Sequence, residues 1–280
     1  MAGTNDEAVA TADEALYVLT AVLLTPAQFP SVLGDDYPAA CAALDLAPRA
    51  DGYGLVLGQD GDGARWTVVI DDVSLVAVAI ASWDCGMEYE LSPDERTVVA
   101  ALPGWPLAVA VAAPGVPAPH DPAPEVADGP ALTPPDTSSW GPAQRRLGAD
   151  EIALQWAVWR EQIADGYFPS PDEQAKTAEA AARGEENAQK GGHQGIRRVL
   201  AEARGYVDSP PPLGRVRSSF APGDARTLRA DGPGWSMVAR TDDIAFVLLD
   251  DEPGEVLPVG RGAELPGLLE ALDKLAVRPS

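Results

Sequence analysis

Asp62-Gly63-Ala64-Arg65-Trp66 returns near the far end of the chain as Asp231-Gly232-Pro233-Gly234-Trp235. Asp-Gly followed within a few residues by a large aromatic is turn chemistry leading into a strand. After each Trp comes a short apolar segment, then an acidic pair (Asp71-Asp72; Asp242-Asp243), then a second apolar segment. A third strand-like run follows (87–91; 255–259), and each copy closes on a helical pattern (92–102; 264–276). The parallel order predicts one structural unit used twice. The fold class expected is α+β, with two related domains, each a mainly antiparallel sheet of about four strands carrying helices on one face.

Within the first copy, residues 55–57 read as a strand and 58–63 as a turn, and Trp66, Val68 and Ile70 share one strand face. Residues 73–81 are apolar on both faces, as a covered central strand would be. Ser92-Pro93-Asp94-Glu95 spells a capping box and predicts a helix from Pro93. Residues 107–113 add a further strand. Upstream, Leu16, Leu19 and Leu23 recur at helical spacing over 7–24, Thr25-Pro26-Ala27-Gln28 reads as a new helix start, and a short helix is expected over 38–44.

Nine prolines in residues 114–142 mark a semi-rigid, solvated spacer. The expected domains are therefore 1–113 and 143–280. In the second, Ile152, Trp156, Trp159 and Ile163 form one apolar stripe over 150–165. Such a stripe packs on a sheet or, through Trp156 and Trp159, anchors a partner. Ser170-Pro171-Asp172-Glu173 opens a polar helix to about 189; a glycine-rich break at 191–195 precedes a helix over 196–206. Pro258 places its strand at a sheet edge, and Leu265, Leu268, Leu272 and Leu275 form the inner face of the last helix.

The charge is the most informative quantity. Residues 1–142 hold 21 carboxylates and three basic side chains, against 22 and 17 in 143–280, within a chain of net charge −23. Such a first half repels nucleic acid and anionic membranes and speeds encounter with a basic partner. Asp60, Asp62, Asp71 and Asp72 are the acidic residues singled out for that contact. Lys176, Lys190 and Lys274 are the only lysines, which with heavy use of Ala, Gly, Pro and Arg suits a bacterial high-GC coding sequence. Cys41 and Cys85 read as reduced, buried thiols, the acidic start lacks the look of an export signal, and no apolar run reaches membrane-spanning length, so the expected compartment is cytoplasmic.

Catalytic constellations are not apparent. His120 lies in the Pro-rich stretch and His193 in the glycine-rich break, and no nucleophile elbow, phosphate loop or zinc motif occurs. Asp60, Asp62 and Gly63 echo a calcium loop without its fixed-spacing Glu, and read as a hairpin turn. The acidic pairs read as turn or strand-end residues, and the Lys190, His193, Arg197, Arg198 cluster as a flexible helix start. No metal or cofactor is expected. The leading functional expectation is a non-enzymatic acidic module that neutralises or escorts a basic protein, in the manner of an immunity protein or antitoxin. A chaperone or adaptor of a secretion or assembly system, binding clients through the C-terminal helices, is the alternative, and an enzyme using scattered carboxylates is a third.

Overall fold

The computed structural model describes residues 16–86, 90–91, 93–107, 121–125, 127, 129–134, 138–163 and 193–279. Contacts divide the chain into unit 1, residues 1–25 and 49–135, and unit 2, residues 26–48 and 136–280. Segment 26–48, which the sequence reading groups with the acidic first domain, thus belongs to the second unit.

Unit 1 is a sheet of β1 (Leu16–Leu24), β2 (Tyr53–Gln59), β3 (Arg65–Ile70), β4 (Glu90–Leu91) and β5 (Val98–Pro103), all antiparallel, in the order β4-β1-β2-β3-β5. Within 16–24 a strand replaces the expected helix. Tyr17, Val18, Thr20 and Val22 favour extended backbone, and a bulge between Val18 and Thr20 shifts the pairing with β2. That extra residue breaks the alternation of period two and leaves the leucines at helix-like spacing.

The apolar run after the first acidic pair is α2 (Ser74–Asp84), a helix and not the strand expected over 73–81. Val76 and Ala79 are buried on the sheet face made by Val18, Ala21, Val56, Val68 and Ile70. Eleven residues without Gly or Pro exceed the usual strand length, and a two-faced apolar run has no periodicity to separate strand from helix. The capping-box spelling also fails as a helix start. Thr97 N–H donates to the Asp94 carbonyl in a turn, and the β-branched Thr97-Val98-Val99 run continues as β5.

Unit 2 contains α1 (Tyr37–Ala42), α3 (Pro142–Leu154), α4 (Trp156–Glu161), α5 (Gln194–Asp208) and α6 (Leu265–Leu275). Its strands are β6 (Val216–Phe220), β7 (Arg226–Gly232), β8 (Trp235–Arg240), β9 (Ala245–Leu249) and β10 (Leu257–Val259), paired in sequence order as an antiparallel meander. Pro258 lies on the edge strand, as expected. The Asp231-Gly232-Pro233-Gly234-Trp235 hairpin turns at Gly234, whose φ of 76° suits glycine.

Helices cover both faces of this sheet, not one. Trp235, Met237, Val247 and Leu249 face α5 and α6 through Val199, Ala203, Leu268, Leu269 and Leu272. Val238, Phe246 and Leu248 face α3 and α4 through Ile152 and Trp156, with Trp159 and Ile163 packed against them. The expected continuous helix is interrupted at Gln155, between α3 and α4. Because α2 stands in unit 1 where β9 stands in unit 2, the two units do not share the strand order predicted from their common turn. Of the Pro-rich stretch, Leu132 N–H donates to the Pro103 carbonyl in unit 1, and the Trp140 indole donates to the Leu249 carbonyl in unit 2. The polar helix expected over 172–189 and, but for Leu107, the strand expected over 107–113 lie outside the described residues.

Candidate functional site

Carboxylates of unit 1 gather at the ends of its strands. Because β2, β3 and β5 alternate in direction, the start of β2, the end of β3 and the start of β5 share one sheet end: Gly54 pairs with Ile70, and Ile70 with Val98. Asp51, Asp71, Asp72, Asp94 and Glu95 flank those positions, with Arg49 and Arg96 as the basic residues beside them. The Asp71 N–H donates to the Thr97 carbonyl at 2.9 Å, which ties two of these loops together. Asp72 accepts from the Ser74 hydroxyl at 2.6 Å and the Ser74 N–H at 2.9 Å at the start of α2. Those bonds favour the charged form and hold its carboxyl below the ordinary aspartate range. Asp51, Asp72, Asp94 and Glu95 are exposed, while Asp71 reaches Arg49 at 3.5 Å.

Asp60 and Asp62 lie at the other end of the same sheet, a strand length of roughly 20 Å away. Asp60 accepts from the backbone N–H of Asp62 and Ala64 at 3.0 and 2.8 Å and from the Trp66 indole at 2.8 Å. That makes it the organiser of the hairpin turn, as read from the sequence. The structure therefore brings Asp71 and Asp72 together with Asp51, Asp94 and Glu95, and sets Asp60 and Asp62 apart. Among the described residues no group of three or more His, Cys, Asp or Glu converges as a metal site.

Of the C-terminal candidates, Trp156 is 9% exposed and meets Phe246 edge-on at 5.2 Å, and Trp159 is half-buried beside it. Both pack onto the sheet. The basic cluster and the acidic loop that follows β9 meet each other: His193 Nε2 is 2.9 Å from Glu252, and Arg198 is 3.3 Å from Asp251. Lys190 and His120 lie outside the described residues. Asp242 and Asp243 are loop residues after β8, paired with Arg240 and Arg160. Both cysteines are free; Cys41 is buried as expected, where burial pushes its thiol up, but Cys85 is exposed, directly after α2.

A second charged centre had no sequence signal strong enough to mark it. In unit 2, Arg145 is fully buried, held by Asp250 at 2.6 Å, Asp35 at 3.3 Å and the Ser236 hydroxyl. Arg146 reaches the same Asp35 at 2.6 Å and the Ser31 carbonyl. Arg229 donates to Asp150, to the Arg146 carbonyl at 3.1 Å and to Asp231. Asp231 is wholly buried, and burial alone raises its pKa; Arg229, Arg217 and the Ser236 hydroxyl outweigh this and leave it lowered. Asp36 caps α1 through the Ala39 N–H and binds Arg215 at 2.9 Å. The arginines thus find their countercharges within unit 2, two of them in segment 26–48. Arg229 and Asp231 lie two residues apart on β7, and Arg217 is the directly opposed partner of Arg229 on β6.

Comparison with protein-family models, curated proteins and solved structures finds no match to this chain.

Proposed function

We propose that this chain is a non-enzymatic binding protein whose unit 1 neutralises or escorts a basic protein partner, in the manner of an immunity protein or antitoxin. The observation that carries this reading is the separation of charge between the units. By sequence, unit 1 has seventeen carboxylates against three arginines, a net of −14. Asp35 and Asp36 are not part of that field, since they pair with arginines of unit 2. Asp51, Asp71, Asp72, Asp94 and Glu95 concentrate it at one sheet end, on loops held by backbone bonds. A surface of this kind steers a positively charged protein and disfavours nucleic acid. No described helix is long and apolar enough to cross a membrane.

The adaptor reading draws on a different observation. Leu154 and Val158 are 85% and 53% exposed, an apolar pair four residues apart on the outer side of α3 and α4. The two readings separate in one experiment. The full chain, an Asp72→Lys/Asp94→Lys/Glu95→Lys variant and a Leu154→Asp/Val158→Asp variant are each immobilised and offered lysate, with washes at low and high salt. A basic protein retained only at low salt, and lost with the lysine variant, is the expected outcome. A protein that survives high salt and is lost only with the second variant would replace this reading with the adaptor.

A further inference from the structure

We propose that unit 2 carries a binding site for a small oxyanion, a carboxylate or phosphate, in the cleft beside the β6–β7 corner of its sheet. The cleft measures about 290 Å³ and is lined by Arg217, Ser219, Thr227 and Arg229 from the two strands, with Gln28 and Asp150 on its walls. Its volume suits inorganic phosphate, a small carboxylic acid or the terminal group of a larger molecule.

The register creates the site. Arg217 and Arg229 are directly opposed partners of β6 and β7, and the next pair on the same face is Ser219 and Thr227. Like charges facing each other across a strand pair repel. What balances them is incomplete. Asp231 is shared, 3.3 Å from Arg217 and 3.5 Å from Arg229. Asp150 serves Arg229, but its side chain is 44% exposed and it also accepts from the Ser31 hydroxyl. Among the described residues, Asp231 is the only carboxylate within ion-pair distance of Arg217. One wholly buried carboxylate therefore serves two enclosed guanidiniums, whose side chains are 11% and 8% exposed.

The hydrogen-bond inventory points the same way. The Nε–H of Arg217 and the Nε–H of Arg229 are both shut from solvent and have no acceptor. An enclosed donor on a charged group that lacks an acceptor is costly, and native proteins rarely keep two side by side without a reason. The Arg217 guanidinium lies over the Phe29 ring at 4.3 Å, which fixes its plane. A fixed planar guanidinium, a second one across the strand pair and the hydroxyls of Ser219 and Thr227 together form a donor set for an oxyanion. An anion there supplies the acceptors that the two Nε–H groups lack, beside a lining carboxylate, Asp150, that already serves Arg229.

Isothermal titration of the full chain with sodium phosphate and, separately, sodium succinate, at ionic strength held constant with sodium chloride, tests the site. Saturable binding of either anion is expected, weakened about tenfold or more in Arg217→Gln, the loss expected for one charge-assisted contact. Response to phosphate alone or to succinate alone assigns the source. Thr227→Val and Ser219→Ala, which line the cleft, each weaken binding as well and serve if Arg217→Gln does not fold. Arg204→Gln, on the exposed surface of α5, leaves binding unchanged. No saturable heat with either anion overturns the proposal, as does binding that Thr227→Val and Ser219→Ala leave intact. Neither result bears on the acidic sheet end of unit 1, whose test uses other residues.

Discussion

At the scale of single residues, the decisive fact is where each charge finds its partner. Asp231 lies between Arg217 and Arg229 with the Ser236 hydroxyl 2.6 Å away. Removing one member of a buried ionic cluster leaves the others uncompensated, at a cost of about 3–5 kcal/mol. Asp231→Ala is therefore expected to lower the unfolding free energy by about that amount in urea titrations. The pH dependence has a definite sign. A carboxyl whose folded pKa lies below its unfolded value contributes stability that is complete above the unfolded pKa and is lost as pH falls through the folded one. For Asp231 that loss sets in below about pH 4. Asp231→Asn, measured beside the native chain, is expected to show a shallower fall in stability on acidification. Equal slopes would show that this carboxylate is not held ionised by its arginines.

Asp60, half-buried, and Asp72, exposed, make the same point. Both are sequence candidates for partner contact, and both accept several local hydrogen bonds. Asp60 fixes a hairpin turn and Asp72 the start of a helix. Only Asp72 stands where other acidic loops converge, which is why it enters the proposed contact surface and Asp60 does not.

At the scale of elements, the sequence was legible wherever one face alternated with the other. The β2–β3 and β7–β8 hairpins, the edge strand with Pro258 and the leucine face of α6 all follow from alternation, turn chemistry and helical spacing. It was misleading where the pattern was degenerate. Three leucines in a bulged strand imitate a helix at 16–24, and an apolar helix imitates a covered strand at 74–84. The Ser92-to-Glu95 capping spelling was overridden by three β-branched residues after it. The buried arginines were not legible, because Arg145 and Arg146 acquire their partners from residues about a hundred positions away. Local spacing cannot register a contact of that range.

The Trp stripe tests this at element level. Trp156 belongs to the layer between α4 and the sheet, so Trp156→Ala is expected to cost about 3–5 kcal/mol of stability. Leu154→Ala, two residues away on the outer side, is expected to stay within about 0.5 kcal/mol. Chemical denaturation of the two variants checks this. Equal, small effects would mean that Trp156 is available to a partner and is not a core residue.

At the scale of the whole molecule, a net charge of −23 is unevenly held. Unit 2 contains 17 of the 20 basic residues by sequence, and many pair with carboxylates of the same unit. Unit 1 has few such pairs available. An unbalanced field on one unit persists at a distance of the Debye length, about 8 Å at physiological salt, and its effect is on encounter more than on the final contact.

Association kinetics of the captured basic partner, followed against sodium chloride concentration, therefore test whether the carboxylates of unit 1 steer its encounter. The native chain is predicted to associate fast at low salt and progressively slower as salt rises. The Asp72→Lys/Asp94→Lys/Glu95→Lys chain should associate at least about tenfold more slowly at low salt with a flatter dependence, while Asp62→Lys at the opposite sheet end changes the rate much less. Equal association rates for the native and triply reversed chains across the salt series would contradict the account.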